Sequence, residues 1–258
     1  NGGTWLNYYS LNELNDNQEY FSNPLFPTNA LKGYAPLNQM GLVSGLQAGY
    51  NFEFEKNLIA GIETDFQGSN IRSASFRSGN DVTAEINEVS GNNGNYTALG
   101  YTKIETGLNW LGTTRGRLGY LINSNLLIYG TAGIAYGKAY ANQITSWSMI
   151  YGDGTPASSS PANGYASQVL LGYSAGAGIE WSFTKGWSLK TDAIYYDLGS
   201  INTSTTNTLL PSQFNYPNPP QDPSTFDYIS TVSSTKINYS GVMARVGLNY
   251  HFIWETNR

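Results

Sequence analysis

The sequence predicts an all-β protein, an eight-stranded antiparallel barrel that crosses a membrane with its strands. Three observations predict it. Strand-like segments come in pairs joined by very short polar turns, while the connections between pairs are long. Residue character along the strands alternates with a period of two, the signature of a strand with one apolar and one polar face. Charged residues are only 12% of the 258-residue chain, roughly half the usual share, and those that share a level above the short turns fall on the polar face.

The elements follow in order. A first strand lies near 2–10. Strands at 42–54 and 58–73 meet through Glu55-Lys56-Asn57. Those at 101–121 and 126–141 meet through Asn123-Ser124-Asn125. Those at 166–183 and 187–200 meet through Thr184-Lys185-Gly186, and 231–252 is the last. Short runs of this composition are hairpin signals. The long connections are 11–41, 74–100, 142–165 and 201–230, rich in Asn, Ser, Pro and Gly. Short turns and long loops alternate, so all turns fall at one end of the sheet and all loops at the other. That is the layout of an outer-membrane barrel with periplasmic turns and extracellular loops. An even strand count places both termini on the periplasmic side. The whole chain reads as one domain.

Alternation is clearest in the last strand. Val242, Ala244, Val246, Leu248, Tyr250 and Phe252 oppose Met243, Arg245, Gly247, Asn249 and His251. In the fourth, Leu108, Trp110, Gly112, Thr114, Gly116, Leu118 and Tyr120 are expected on one face. Leu111, Thr113, Arg115 and Arg117 are expected on the other. Aromatics gather beside the short turns: Phe52, Phe54, Tyr120, Trp181, Phe183, Trp187, Tyr250 and Phe252. That is where a periplasmic aromatic girdle belongs.

Counted from the turn end, the polar-face charges converge on one level. Five acids (Glu53, Glu63, Asp65, Glu180, Asp192) meet four bases (Arg115, Arg117, Lys190, Arg245). A paired, hydrogen-bonded charge can be buried, whereas an unpaired one is costly. The arginine fork suits carboxylates. Eight strands enclose a space only wide enough for side chains, so the expected interior is a salt-bridged plug. An ion path through the same layer is the alternative. A soluble β-sandwich or lipocalin-like barrel would put these charges in solvent, but explains the loop asymmetry and the aromatic ends poorly.

Other classes are excluded or unsupported. No apolar run reaches the ~20 residues of a transmembrane helix. A net charge of −5 argues against nucleic acid. With no cysteine there is neither a disulfide framework nor a thiolate metal site. The single histidine, His251, excludes a multi-His metal site; it reads as an interior residue near the periplasmic mouth. No catalytic residue, metal or cofactor is expected.

The strands GLQAGYNFEF (45–54), AGIETDFQGS (60–69), WLGTTRGRLGY (110–120), LLIYGTAGIAYGKA (126–139), AGAGIEW (175–181), WSLKTDAIYYDLG (187–199) and MARVGLNYHF (243–252) together resemble a known family. These are the small outer-membrane β-barrels of α-proteobacteria, including the Brucella-type major outer-membrane antigens and the Bartonella hemin-binding proteins, with an OmpA-like transmembrane barrel of the porin family. The resemblance implies outer-membrane location and a structural or surface-antigen role, with hemin binding in some members. Two features depart from the family pattern. IWETNR follows the terminal aromatic Phe252, and NGGTWLNYYS stands where a longer Trp/Gly/Tyr stretch usually opens the first strand.

The expected partners are outer-membrane lipid and lipopolysaccharide. The long loops carry aromatics, among them Phe26, Trp147, Tyr151, Phe214 and Tyr216, and five prolines lie within 209–228. Exposed aromatic clusters mark interaction sites, so neighbouring copies or another surface protein are expected there. The reading is a structural barrel supporting the envelope and surface contacts. A narrow porin and a surface hemin-binding protein are the alternatives.

Overall fold

The computed structural model describes residues 2–11, 33–37, 41–86, 94–151, 156–209 and 229–252, with side chains at 37, 41–78, 100–146, 161–207 and 233–252. All described elements are strands: β1 (Gly2–Leu11), β2 (Gly33–Leu37), β3 (Val43–Glu55), β4 (Leu58–Ile86), β5 (Gly94–Asn123), β6 (Leu126–Tyr151), β7 (Pro156–Thr184), β8 (Trp187–Leu209) and β9 (Ile229–Tyr250). They form one antiparallel sheet in the order β2-β1-β9-β8-β7-β6-β5-β4-β3. Nine strands are described where eight are expected, and their hydrogen-bonded order does not close on itself. Among the described residues, β3 pairs only with β4, and β9 beyond Ile237 pairs only with β8.

The strands also run well past their expected bounds. Pairing of β4 with β5 continues to Ile86↔Gly94, that of β6 with β7 to Ile150↔Pro156, and that of β8 with β9 to Leu209↔Ile229. Much of 74–100 and 142–165, expected as loop, is therefore strand. Composition misled there: Ser, Thr and Asn read as loop, yet a paired neighbour stabilises them as strand, since β-preference depends on context. The hairpin turns are tight. Asn57 adopts a left-handed φ of 68° and Gly186 one of 80°. Asn tolerates that region through its short polar side chain and Gly for want of a Cβ.

Side chains on one face bond to strands that are not ladder neighbours. Arg245 of β9 reaches Asp65 of β4, Gln143 of β6 reaches Ser233 of β9, and Tyr239 of β9 donates to the Tyr140 carbonyl of β6. The sheet is thus curled around that inner face, and the core lies inside the curl in three strata. Nearest the short turns is an ionic stratum. Above it sits an apolar one, with Leu108, Leu111, Ile194, Leu198, Ile237 and Met243 all buried. Above that lies a stratum of hydroxyls and amides, where Gln143, Thr145, Thr205 and Ser233 are linked by hydrogen bonds.

Two bulges set the middle stratum. Asn109 is skipped in the β5–β6 register. Leu108 and Leu111 therefore share the inner face, which corrects the expectation that Leu108 lies with Trp110. Between Asp197 and Ser200, β8 carries one extra residue, and Gly199 there has φ 85°. Leu198 and Ile201 consequently both point inward. A bulge inserts one residue and reverses the inside–outside parity beyond it.

Tyrosine rings fill spaces left by glycines on neighbouring strands. A Cβ on Gly178 would collide with the Tyr129 hydroxyl and lie 2.6 Å from the Thr191 carbonyl, whereas one on Gly116 meets nothing closer than 3.8 Å. Gly178→Val is expected to cost about 1–3 kcal/mol, and Gly116→Ala to stay within about 0.5 kcal/mol. Urea titration of the protein refolded in detergent or liposomes checks both.

Candidate functional site

The ionic stratum is built from alternate residues of five strands. β4 supplies Glu63 and Asp65, β5 supplies Arg115 and Arg117, β7 supplies Glu180, β8 supplies Lys190 and Asp192, and β9 supplies Arg245. Register puts partners opposite each other. Glu63 faces Arg115, Glu180 faces Lys190, and Asp192 faces Arg245 across adjacent strands. The bonds then spread beyond adjacent pairs. Arg115 donates to Glu63 and, at 3.0 Å, to Asp65. Arg117 donates to Glu180, two strands away. Lys190 donates to Glu63 at 2.6 Å and lies 3.4 Å from Asp192. Arg245 holds Asp192 through Nε and Nη2, both at 2.8 Å, and Asp65 through Nη1 at 2.8 Å.

Four carboxylates therefore meet four cations. Neutral groups add to the shell, while Arg115 Nε and Nη1 and Arg117 Nε are buried without a hydrogen-bond partner among the described residues. Thr113 donates to Asp65 at 2.7 Å through its hydroxyl and at 3.2 Å through its backbone N–H. Ser188 and Asn249 donate to Glu180. The Arg117 guanidinium stacks 3.8 Å above the Tyr129 ring, whose hydroxyl lies 3.4 Å from Asp192. Such a site can hold strands together and exclude an uncompensated charge. The described residues include no group of three or more His, Cys, Asp or Glu able to hold a metal ion.

Glu53 was expected in this layer and is not there. It is exposed and accepts the Asn57 N–H at 3.1 Å, capping the first turn. Its strand forms one border of the open sheet, so no inner wall covers it. Without Glu53 the cluster balances four against four rather than five against four. His251 lies at the turn end, where Nε2 is 3.0 Å from Glu180 and 2.8 Å from Ser188. A cavity of about 670 Å³ opens beside the cluster between β3 and β9. Across it the Gln47 amide donates to Asn249 at 2.5 Å.

The outer face has the opposite character. Near the turns, Phe52, Phe54, Tyr120, Trp181, Phe183, Trp187, Tyr250 and Phe252 are all exposed. Leu46, Ile62, Leu118, Ile134, Val242 and Val246 continue the apolar surface, each more than half exposed. A second aromatic row, absent from the sequence reading, lies above them. Phe66 and Trp110 stand 5.3 Å apart, Trp110 and Tyr136 6.3 Å, and Tyr173 and Tyr195 6.1 Å. A period-two reading that noted which aromatics lie about ten residues from the turn aromatics (Trp110 from Tyr120, Tyr173 from Phe183) would have found it. Ten residues at about 3.3 Å, tilted by about 40°, rise roughly 25 Å. On the described outward faces, the first charges met going up from the turns are Arg72, Glu105, Lys138, Asp197 and Lys236.

Of the expected loop contacts, Phe26, Phe214 and Tyr216 lie outside the described residues. Trp147 and Tyr151 belong to β6, paired opposite Gly100 and Tyr96, rather than to a loop.

Comparison with known proteins bears on this arrangement. The chain is 31% identical over 251 residues to the 31 kDa outer-membrane immunogenic proteins of Brucella melitensis biotype 1 and Brucella suis biovar 1, a match covering 97% of this chain and 78% of each relative. The chain belongs to this family. The ionic stratum and the two aromatic rows are thus features of a member of the 31 kDa outer-membrane immunogenic protein family. No family model matches the chain. Among solved structures, the attachment invasion locus protein Ail of Yersinia pestis aligns over 93% of this chain and 94% of its own, at 12% identity and a TM-score of 0.27.

Removing one member of a buried ion cluster leaves its partners uncompensated. Arg115→Leu is expected to cost about 3–5 kcal/mol, and Glu53→Gln, at an exposed site that keeps its acceptor, less than about 0.5 kcal/mol. Urea titrations of the refolded variants, followed by tryptophan fluorescence, test the contrast.

Proposed function

We propose that this chain is a structural outer-membrane β-barrel, closed and plugged, that stiffens the envelope and holds its long strands out as a contact surface. One observation carries the reading: an apolar outer band about as tall as a bilayer core, bordered by two aromatic rows, wraps a charge-balanced and filled inner face. In a soluble protein the apolar side would face inward. The family supports the location, since both relatives are named as outer-membrane proteins.

Closure is part of the proposal. In lipid, every backbone N–H and C=O needs a partner, so an open edge is excluded. Among the described residues, the Gln47–Asn249 side-chain bond bridges the unpaired borders of β3 and β9. β1 pairs with β9 and with β2, and β2 also lies against β4, beside β3 in the chain. β2 and β3 then share one strand position, and eight positions run round the barrel. The short turns and both termini face the periplasm on this reading, and the girdles sit among outer-membrane lipids and lipopolysaccharide.

The upper part supports a surface role. β4 and β5 are 29 and 30 residues long, about 95 Å of strand, while a crossing needs only about 10 residues. Most of their length therefore stands outside the membrane, within reach of neighbouring copies or another surface protein. The apolar stratum weighs against a narrow porin, because Leu108, Leu111, Leu198 and Ile237 occupy the path directly above the charges. His251 is engaged by Glu180 and Ser188 far from the surface, which weighs against hemin capture through it. No enzymatic role belongs to this reading.

Planar-bilayer recording of the refolded protein tests it. A silent or rarely flickering trace is expected. Steady conductance that changes with Arg115→Ala would make the ionic stratum a filter and sink the plugged reading.

A further inference from the structure

Outward-facing charge above the apolar band is unevenly spread. On β4, β5 and β6 the exposed cations Arg72 and Lys138 have no ion-pair partner among the described residues. The acid on that face, Glu105, is already bound to Lys103 at 2.7 Å. On the far side of the sheet, outward Asp197 and Lys236 offset each other. The surplus of positive charge is thus local to β4–β6.

The same strands carry the tightest part of the upper aromatic row. Phe66, Trp110 and Tyr136 form a continuous apolar platform that runs from the level of Lys138 toward the short turns. Lys138 is opposite Trp110 in the register, and Arg72 is opposite Gly107. Gly107 has no side chain, and the Tyr140 ring lies over it instead. The bulge at Asn109 leaves an exposed amide between the two cations. Two strand spacings across and two residues along put Arg72 and Lys138 roughly 12 Å apart at the backbone. Their side chains can close on one anionic headgroup from both sides.

We propose that this face binds the phosphorylated, acylated sugar headgroup of lipopolysaccharide. Arg72 and Lys138 would hold the phosphates, and Phe66, Trp110 and Tyr136 would lie against the first carbons of the acyl chains. The inference rests on the outer-membrane reading above, which places this level at the lipid headgroups. It goes beyond that reading by assigning the residues and the chemistry. Guanidinium and ammonium groups at a membrane surface each favour anionic lipid by about 1 kcal/mol. Aromatic rings favour the same interfacial depth.

The test is native mass spectrometry of the refolded protein in micelles carrying hexa-acylated bisphosphoryl lipid A. The wild type and Lys236→Gln are expected to retain it equally. The double variant R72Q/K138Q is expected to retain it about thirtyfold less well. Equal retention by the wild type and the double variant overturns the inference, as does equal retention of dephosphorylated lipid A. Phosphatidylglycerol that displaces lipid A at equal phosphate also overturns it, by showing a generic anion preference. Each protein is first tested for a heat-modifiable folded band on a gel. A wild type that never acquires that band overturns the barrel reading itself, whereas a folded wild type indifferent to lipid A overturns only this inference.

Discussion

Compensation of buried charge on the inner face is the interaction on which the rest of this architecture depends. Glu63, Asp65, Glu180 and Asp192 are tied to Arg115, Arg117, Lys190 and Arg245, and three of the ties, Arg117–Glu180, Lys190–Glu63 and Arg245–Asp65, join strands that are not neighbours in the ladder. Those three cross the curl of the sheet. A backbone ladder fixes how adjacent strands slide past each other, but only cross-curl contacts fix how tightly the sheet is wound. The balance of four against four also explains why the cluster is tolerated at all. An isolated buried ion costs several kcal/mol, and a charge-balanced network removes most of that cost without adding much net stability.

The strata above the charges follow from the same geometry. A narrow curl has room for side chains and little else, so its filling changes character with height. Bulges at Asn109 in β5 and near Gly199 in β8 reverse parity at the same level. They turn inward a set of leucines and isoleucines that a strict alternation would have sent outward. An apolar seal then sits directly over the ions and keeps them dry on that side. Higher up, Gln143 links Thr145, Thr205 and Ser233, which holds the long strands together beyond the apolar band. The outer face responds in the opposite sense: it is apolar where the inner face is ionic, and its charges begin at the level of the inner apolar stratum.

Much of this was legible in the residue order. Period-two alternation in 242–252 and 171–183 marks inner and outer faces correctly, because nothing interrupts those runs. In 108–120 the same rule misassigns Leu108, since a single skipped residue is invisible to a pattern that counts by twos. The eight charges of the cluster stand out because a strand with one lipid-like face has few reasons to carry them. Glu53 has the same parity and type, and only its place at an open border and its bond to the Asn57 N–H separate it from the rest. The halves of the strands farther from the short turns were hidden by their Ser, Thr and Asn content, whose strand character comes from a paired neighbour rather than from the residues themselves.

By itself the sequence determined the all-β class, the hairpin order and the two faces of most strands, because turn chemistry and period-two patterning are local properties. It also determined which charges could be partners, since those with a common height and face had to meet. Which partners actually meet, where bulges reverse the parity, how far the strands run and which aromatics form the second row were decided only by the tertiary structure. Those depend on contacts between residues 50 to 180 positions apart, such as Arg115 with Asp65 and Arg245 with Asp65. No local pattern carries that information, because it is set by how far the sheet must curl before opposite charges touch.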